Sequence, residues 1–280
     1  MLYIIVILNF LTLIQCQMNL VTITPNHPDP LFNGSPAPPA IAARIVGGEE
    51  ARPNSLPYQA ALVINTKNGV FFCGGSLIST MHVLTAAHCV DGAEKVEVIL
   101  GAHNIRELEP TQRRYITSKF IIHPEWDSYY LTNDIALVVL PEHVPLSRHI
   151  QVVALPSLSE ARSTFRGMTG IISGWGRASD ENKKISNVLR LVETDVISNH
   201  WCNVQYLGII KSTQICTSGD LGKNTCNGDS GGPLVVNNRQ VGIVSFGVAF
   251  GCQVGWPAVF TRVGNYLVWI SKSTGISIRI

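Results

Sequence analysis

Seven consecutive residues, Asn227-Gly228-Asp229-Ser230-Gly231-Gly232-Pro233, hold one serine on a chain path that few other sequences could follow. Three glycines permit positive φ and close approach of backbone, so the Ser230 hydroxyl can stand clear of its own chain. A serine hydroxyl is a weak nucleophile near neutral pH. It needs a base within hydrogen-bond reach, and that base needs a third group to orient it. The stretch therefore asks for a histidine and a carboxylate elsewhere.

Both have candidates in unusual settings. His88 lies in Leu84-Thr85-Ala86-Ala87-His88-Cys89, where small neighbours and a cysteine leave the imidazole little room to wander. Asp134 opens Asp134-Ile135-Ala136-Leu137-Val138-Val139-Leu140, a run apolar enough for a core strand. A carboxylate at the mouth of such a run is costly unless hydrogen-bonded, and the Nδ1–H of a histidine would meet that need while fixing the tautomer. The other histidines, His27, His82, His103, His123, His143, His149 and His200, read as surface or satisfied core residues.

Thr85-Ala86-Ala87-His88-Cys89, Asp134-Ile135-Ala136-Leu137 and Gly228-Asp229-Ser230-Gly231-Gly232-Pro233-Leu234, in that order, resemble the signatures of the chymotrypsin-like serine endopeptidases. The resemblance covers residues 45 to about 272. It implies that Ser230 attacks a peptide carbonyl, His88 moves the proton, Asp134 holds the imidazole, and the N–H groups of Gly228 and Ser230 stabilise the oxyanion. Arg44-Ile45-Val46-Gly47-Gly48 is similar to the family's activation junction. Cleavage after Arg44 would free the Ile45 amine to pair with Asp229 and order the substrate pocket, so the uncut chain would be inactive.

The elements that must position these groups follow from patterning. With 280 residues, 46% hydrophobic and 14% charged, the chain can bury a substantial core in one or two domains. Net charge is +2 with no basic run, which gives nucleic acid nothing to bind. Strand-like runs are read at Val70 to Ile78, His82 to Cys89, Lys95 to Gly101, Tyr115 to Ile122 and Ile135 to Leu140. Others follow at Met168 to Ser173, Leu189 to Ile197, Gly232 to Val236, Gln240 to Ser245 and Ala258 to Val263. Short β-rich runs punctuated by Gly, Asn and Pro indicate an all-β chain. The resemblance implies two packed six-stranded antiparallel β-barrels, the first over about 45–160 and the second over about 161–262, divided near Pro156 to Gly167. Val263, Tyr266, Leu267 and Ile270 recur at helical spacing, so a C-terminal α-helix is expected over about 263–273.

Residues 1–16 are apolar but too short for a membrane span and read as a secretory signal peptide ending near Cys16. Residues 17–44 carry six prolines without apolar periodicity and read as an extended activation propeptide, with a glycosylation sequon at Asn33-Gly34-Ser35. The peptidase domain is expected over 45–280. After Cys16 is set aside, six cysteines remain, none at the short spacing of a zinc site, so disulfides in an oxidising compartment are favoured. Spacing alone leaves about 15 connectivities. The resemblance selects Cys73 with Cys89, Cys202 with Cys216, and Cys226 with Cys252.

For substrate choice, the resemblance puts Asn224 on the floor of the primary pocket, where trypsin-like relatives carry an aspartate. Ser245, Phe246 and Gly247 form the expected wall, Gly247 leaving the entrance open, and Ala258 narrows the pocket by a methyl. Phe246-Gly247, Gly251-Cys252 and Trp256-Pro257-Ala258-Val259-Phe260 resemble the arthropod brachyurin-type and midgut chymotrypsin-like branch, which implies an apolar or mixed preference. Gly101-Ala102-His103-Asn104-Ile105 is similar to a calcium loop of trypsin-like relatives, but Ala102 and Gln112 replace ligand carboxylates, so no metal and no cofactor is expected. The expected protein is a secreted, extracellular monomer of digestive type. Its expected partners are polypeptide substrates, an activating trypsin-like protease and protein protease inhibitors, with no membrane partner. A catalytically silent homologue acting as a binding protein is the competing class. Retention of every triad member and of the junction speaks against it.

Overall fold

A computed structural model of the protein describes residues 47–280. The signal-peptide and propeptide readings, the Arg44-Ile45 junction, Cys16 and the Asn33 sequon lie outside the described residues.

The chain builds two antiparallel sheets, each curled on itself. The first contains β2 (Gln59–Thr66), β3 (Gly69–Ser79), β4 (His82–Thr85), β5 (Ala93–Leu100), β6 (Arg113–Thr117), β7 (Phe120–Ile122) and β8 (Ala136–Val139), in the order β6-β5-β2-β3-β4-β8-β7. Its two ends, β6 and β7, belong to one segment broken only at Ser118-Lys119, so the sheet closes as a barrel of six strands once that segment is counted once. The second contains β9 (Thr169–Gly174), β10 (Arg190–Ile197), β11 (Gln214–Thr217), β12 (Pro233–Val236), β13 (Arg239–Phe246) and β14 (Ala258–Arg262). Here β9 pairs with both β10 and β12, which closes a ring of six. Closure removes the unpaired edges that would otherwise invite association.

A two-residue strand, β1 (Glu49–Glu50), adds to the outside of the second ring by pairing with Arg190 and Leu191, although it precedes every strand of the first. The first described residues therefore sit with the second barrel.

β1, β2, β11 and the end of β4 escaped the sequence pattern. β2 is buried along six of its eight residues and β11 along all four, so neither alternates between apolar and polar faces. The strand read through His82 to Cys89 stops at Thr85. Ala86 is still extended, then Ala87–Val90 makes one helical turn, α1, opened by Ala87, a strong helix former. Turn chemistry is legible by contrast. β12 and β13 are joined by Asn237-Asn238, both at positive φ, as a tight hairpin turn requires.

The barrels meet through two buried serine–glutamine pairs. Ser173 of β9 donates to Oε1 of Gln59 in β2 at 2.6 Å, and Gln59 Nε2 returns to the Ser173 carbonyl at 3.3 Å. Ser76 of β3 donates to Oε1 of Gln240 in β13 at 2.5 Å. α2 (Asn199–Gln205) follows β10, capped by Ser198. A 3₁₀ turn (Val263–Tyr266) and α3 (Leu267–Thr274) end the core, and Gly275 closes the helix in the left-handed region. Val263, Tyr266, Leu267 and Ile270 are all buried, and they pack on the first barrel's core although they follow the second barrel's last strand. Among the described residues no helix is long and apolar enough to cross a membrane.

Candidate active site

Strand pairing brings His88 and Asp134 together. β4 and β8 run antiparallel with Thr85 opposite Ala136, so the end of β4 lies beside the start of β8. His88 follows β4 by one helical turn and Asp134 precedes β8 by two residues. The disulfide between Cys73 and Cys89 fastens that turn to β3. Asp134 is 1% exposed. Its Oδ2 lies 2.8 Å from His88 Nδ1 and its Oδ1 accepts from the His88 backbone N–H at 2.9 Å. Two side chains of the second barrel complete the setting. Ser245 of β13 donates its hydroxyl to Asp134 Oδ2 at 2.6 Å, and Thr261 of β14 donates to the Asp134 carbonyl at 2.7 Å. A buried carboxylate thus accepts three hydrogen bonds, which offset its desolvation. Burial alone would lower the His88 pKa, but the charge and hydrogen bond of Asp134 outweigh it and the net shift is upward from 6.5.

Ser230 sits on the seam between the barrels. Its carbonyl accepts from the Gly74 N–H of β3 at 2.7 Å, and the next residue, Gly231, donates to the Val244 carbonyl of β13 at 2.8 Å. A side chain at Gly231 would collide with Thr85 Oγ1 at the end of β4, the strand that leads to His88. Gly228 has φ +98°, and a Cβ there would meet Ile185 at 2.9 Å. The N–H groups of Gly228 and Ser230 donate to no group among the described residues, so both remain available.

Asp229 points the other way, into the protein, and is fully buried. Gly176 N–H donates to Oδ1 at 2.8 Å and Cys226 N–H to Oδ2 at 2.9 Å. Any side chain at Gly174 or Gly176 would overlap its carboxylate, so the two glycines flanking buried Trp175 form a cradle that only glycine permits. This cradle was missed in the sequence; its signal was Gly174-Trp175-Gly176 directly after a strand. Burial pushes the Asp229 pKa up to about 6 despite the two backbone donors. No lysine or arginine pairs with Asp229 among the described residues. Gly47, two residues after Ile45, packs against Lys223, next to Asn224 and three residues before Cys226.

The residues expected to form the pocket come from three segments. Asn224 is 5% exposed and both its polar atoms are engaged: Nδ2 donates to the Trp256 carbonyl at 2.8 Å and Oδ1 accepts from Thr225 N–H at 2.9 Å. Ala258 is buried at the start of β14. A Cβ at Gly247 would meet nothing within 4 Å. Phe246 is buried edge-to-face against Tyr206 at 5.8 Å. Ser245, expected on the pocket wall, gives its hydroxyl to the buried Asp134 carboxylate at the start of the first barrel's β8, while its backbone remains part of β13, the strand expected to form the wall.

Among the described residues the disulfides are Cys73–Cys89, Cys202–Cys216 and Cys226–Cys252, the pairing that the resemblance implied. In the loop similar to a calcium loop, Gln112 Nε2 lies within 3.1 Å of the Asn104 carbonyl, the Glu107 carbonyl and Glu109 Oε2. An amide nitrogen gathers the oxygens there. The Glu109 carboxylate also accepts from the His103 and Asn104 N–H groups.

The pattern of the family described as Trypsin matches residues 45–270. The chain is 49% identical over 233 residues to brachyurin of Leptuca pugilator, covering 83% of this chain and 100% of that one. It is 42% identical over 226 residues to a chymotrypsin of Phaedon cochleariae, covering 81% and 80%. The solved structure of HL collagenase superposes with a TM-score of 0.77 at 37% identity, covering 84% of this chain and all of that one. The fold, the order of the elements and these relatives agree, and the chain belongs to the trypsin family of serine endopeptidases.

Proposed function

We propose that the chain is made as a secreted, inactive precursor, is activated by cleavage after Arg44, and hydrolyses peptide bonds through Ser230, His88 and Asp134. Ser230 Oγ attacks the carbonyl carbon while its proton passes to His88 Nε2. The resulting oxyanion is received by the N–H groups of Gly228 and Ser230, a contribution of about 3 to 4 kcal/mol per donor in comparable enzymes. The imidazolium gives its proton to the departing amine as the C–N bond breaks, leaving an ester on Ser230. A water molecule, deprotonated by His88, then attacks that ester and restores the serine.

The observation that carries this reading is the pair of hydrogen bonds that one buried carboxylate accepts from both the ring and the backbone of His88. It fixes the imidazole with Nδ1 as donor and leaves Nε2 as the base. The N–H groups of Gly228 and Ser230, without a partner among the described residues, support the oxyanion role. The ion pair between the Ile45 amine and Asp229 is supported by a fully buried carboxylate whose pKa burial raises, and by Gly47 lying beside the Asn224 segment.

We further propose a preference for large apolar residues before the scissile bond. Asn224, Phe246, Gly247 and Ala258 bring no charge to the pocket. Burying an unpaired Lys, Arg, Asp or Glu side chain there costs several kcal/mol, whereas an apolar side chain gains roughly 1.5 to 3 kcal/mol.

The test is a p-nitrophenyl acetate titration before and after cleavage by a trypsin-like protease. The expected result is no burst from the intact chain and one equivalent of p-nitrophenol per molecule whose new N-terminus is Ile45. An active species with another N-terminus, or a cleaved chain without a burst, would overturn the reading; the latter would leave a silent binding homologue.

A further inference from the structure

The segment from Gly247 to Ala258 forms one side of the candidate pocket, and three glycines, at 247, 251 and 255, make it conformationally loose. Gly251 and Gly255 are at φ +149° and +77°. Such a segment keeps one shape only if its backbone is tied down. Two of its amides, those of Cys252 and Gln253, donate to a single carboxylate far away in sequence: Asp180 Oδ1 at 2.6 Å and Asp180 Oδ2 at 3.0 Å. The contact is reciprocal, since the Asp180 N–H donates to Gln253 Oε1 at 3.1 Å. A Cβ at Gly251 would come within 2.9 Å of Asp180 Oδ2, so the backbone approaches as closely as the missing side chain allows.

Asp180 stands four residues beyond Gly176, whose N–H binds the Asp229 carboxylate. Between them, Arg177 N–H donates to the Asn227 carbonyl at 2.9 Å. One short stretch therefore touches the buried aspartate at one end and the pocket rim at the other. Cys252 is bonded in turn to Cys226, whose own N–H donates to Asp229 Oδ2. The rim is thus tied to the Asp229 site twice, once covalently and once through Asp180.

We propose that Asp180 is a positioning residue for substrate binding, its carboxylate clamping the Cys252-Gln253 backbone so that ordering around Asp229 is transmitted to the pocket rim. The clamp rests on the pocket reading given under Proposed function. Because it acts on the shape of the binding site and touches neither Ser230 nor His88, its loss weakens substrate binding and leaves the chemical step in place.

The experiment uses the cleaved full-length chain and a peptide anilide with Phe before the scissile bond. Asp180→Ala is expected to raise KM about five- to tenfold, the effect of losing charge-assisted hydrogen bonds at a solvent-exposed site, with kcat within about twofold of wild type. Asp180→Asn, which keeps one acceptor, is expected to fall between. The neighbouring Glu181→Gln is expected to match wild type. Hydrogen exchange of the Cys252 and Gln253 amides should accelerate in Asp180→Ala, a readout independent of turnover. An unchanged KM, a fall in kcat at constant KM, or unchanged exchange at those amides would overturn the clamp. If Asp180→Ala fails to fold, Gln253→Ala, which removes one arm of the reciprocal contact, carries the same expectation at smaller size. A p-nitrophenyl acetate burst on each protein separates the two levels: its absence in wild type overturns the proposed function and the clamp with it, while a normal burst with unchanged KM in the variants overturns the clamp alone.

Discussion

The Ser245 hydroxyl, carried by the penultimate residue of the second barrel's β13, donates to Oδ2 of Asp134 at the mouth of the first barrel's β8, 2.6 Å away. The candidate general base is therefore oriented by both barrels. Ser245→Ala removes one of three hydrogen bonds to a buried carboxylate, at a cost of about 1 to 3 kcal/mol in stability. Asp134 then bears more undispersed charge against His88, so the acid limb of kcat/KM should move upward. Denaturant unfolding together with a pH–rate profile checks both parts.

Asp134→Asn should lower kcat by about 10⁴-fold, the loss measured for this change in another serine endopeptidase of the family. The His88 pKa is raised only because Asp134 outweighs burial, so without that charge it should fall. In the wild type, activity needs neutral His88 and therefore rises with pH through the raised value, above 6.5. The stability contributed by the protonated pair runs the other way: it is complete below 6.5 and is lost as pH climbs through the raised value. Residual kcat/KM of the variant measured against pH should place the acid limb lower than in wild type.

The fold and the candidate site were legible in the sequence to different depths. Ser230, His88 and Asp134 could be found because each sits in a local pattern that states its own constraint, glycines around the serine and an apolar run behind the aspartate. The bonds of Ser245 and Thr261 to Asp134 could not, since a hydroxyl on a core strand has no local signature for such a partner and acquires it only when the second barrel docks on the first. The same holds for Gln59 with Ser173, 114 residues apart. β2 and β11 were lost because strands buried on both faces do not alternate. The Asp180 clamp was invisible for the same reason as Ser245: an exposed aspartate in a polar loop looks like any other until its partners arrive.

Asp229 predicts an inverted pH dependence for the intact chain. Its folded pKa of about 6 lies above the ordinary value of 3.8 because burial penalises the ionised form. The native state therefore holds a proton that the unfolded state releases between those values, and stability falls as pH rises from about 4 to about 6, by on the order of 3 kcal/mol, then levels off. After cleavage, pairing with the Ile45 amine should depress the pKa and remove the fall. Urea unfolding of intact and cleaved chain at pH 4 and pH 7, both in the Ser230→Ala background to prevent self-digestion, should show the loss only in the intact chain.

Asn224→Asp should improve Lys and Arg substrates relative to Phe, but by less than a bare charge would. The Asn224 amide donates to the Trp256 carbonyl, and a carboxylate in its place would face that carbonyl without a proton, costing about 1 to 3 kcal/mol in the pocket. Matched peptides differing only in the residue before the scissile bond should show wild type favouring Phe or Leu over Arg, and the variant narrowing that gap. An unchanged ranking would remove Asn224 from the pocket floor.

The most direct test of the central claim is covalent. Cleaved protein treated with phenylmethylsulfonyl fluoride, digested and examined by mass spectrometry, should carry one sulfonyl group, on the peptide containing Ser230, with peptide hydrolysis lost in proportion to labelling. Ser230→Ala should take up none and should lose about 10⁶-fold in kcat while unfolding at the same denaturant concentration. Label on a different residue, or an unlabelled protein that is inactivated nonetheless, would contradict the assignment of Ser230 as the nucleophile.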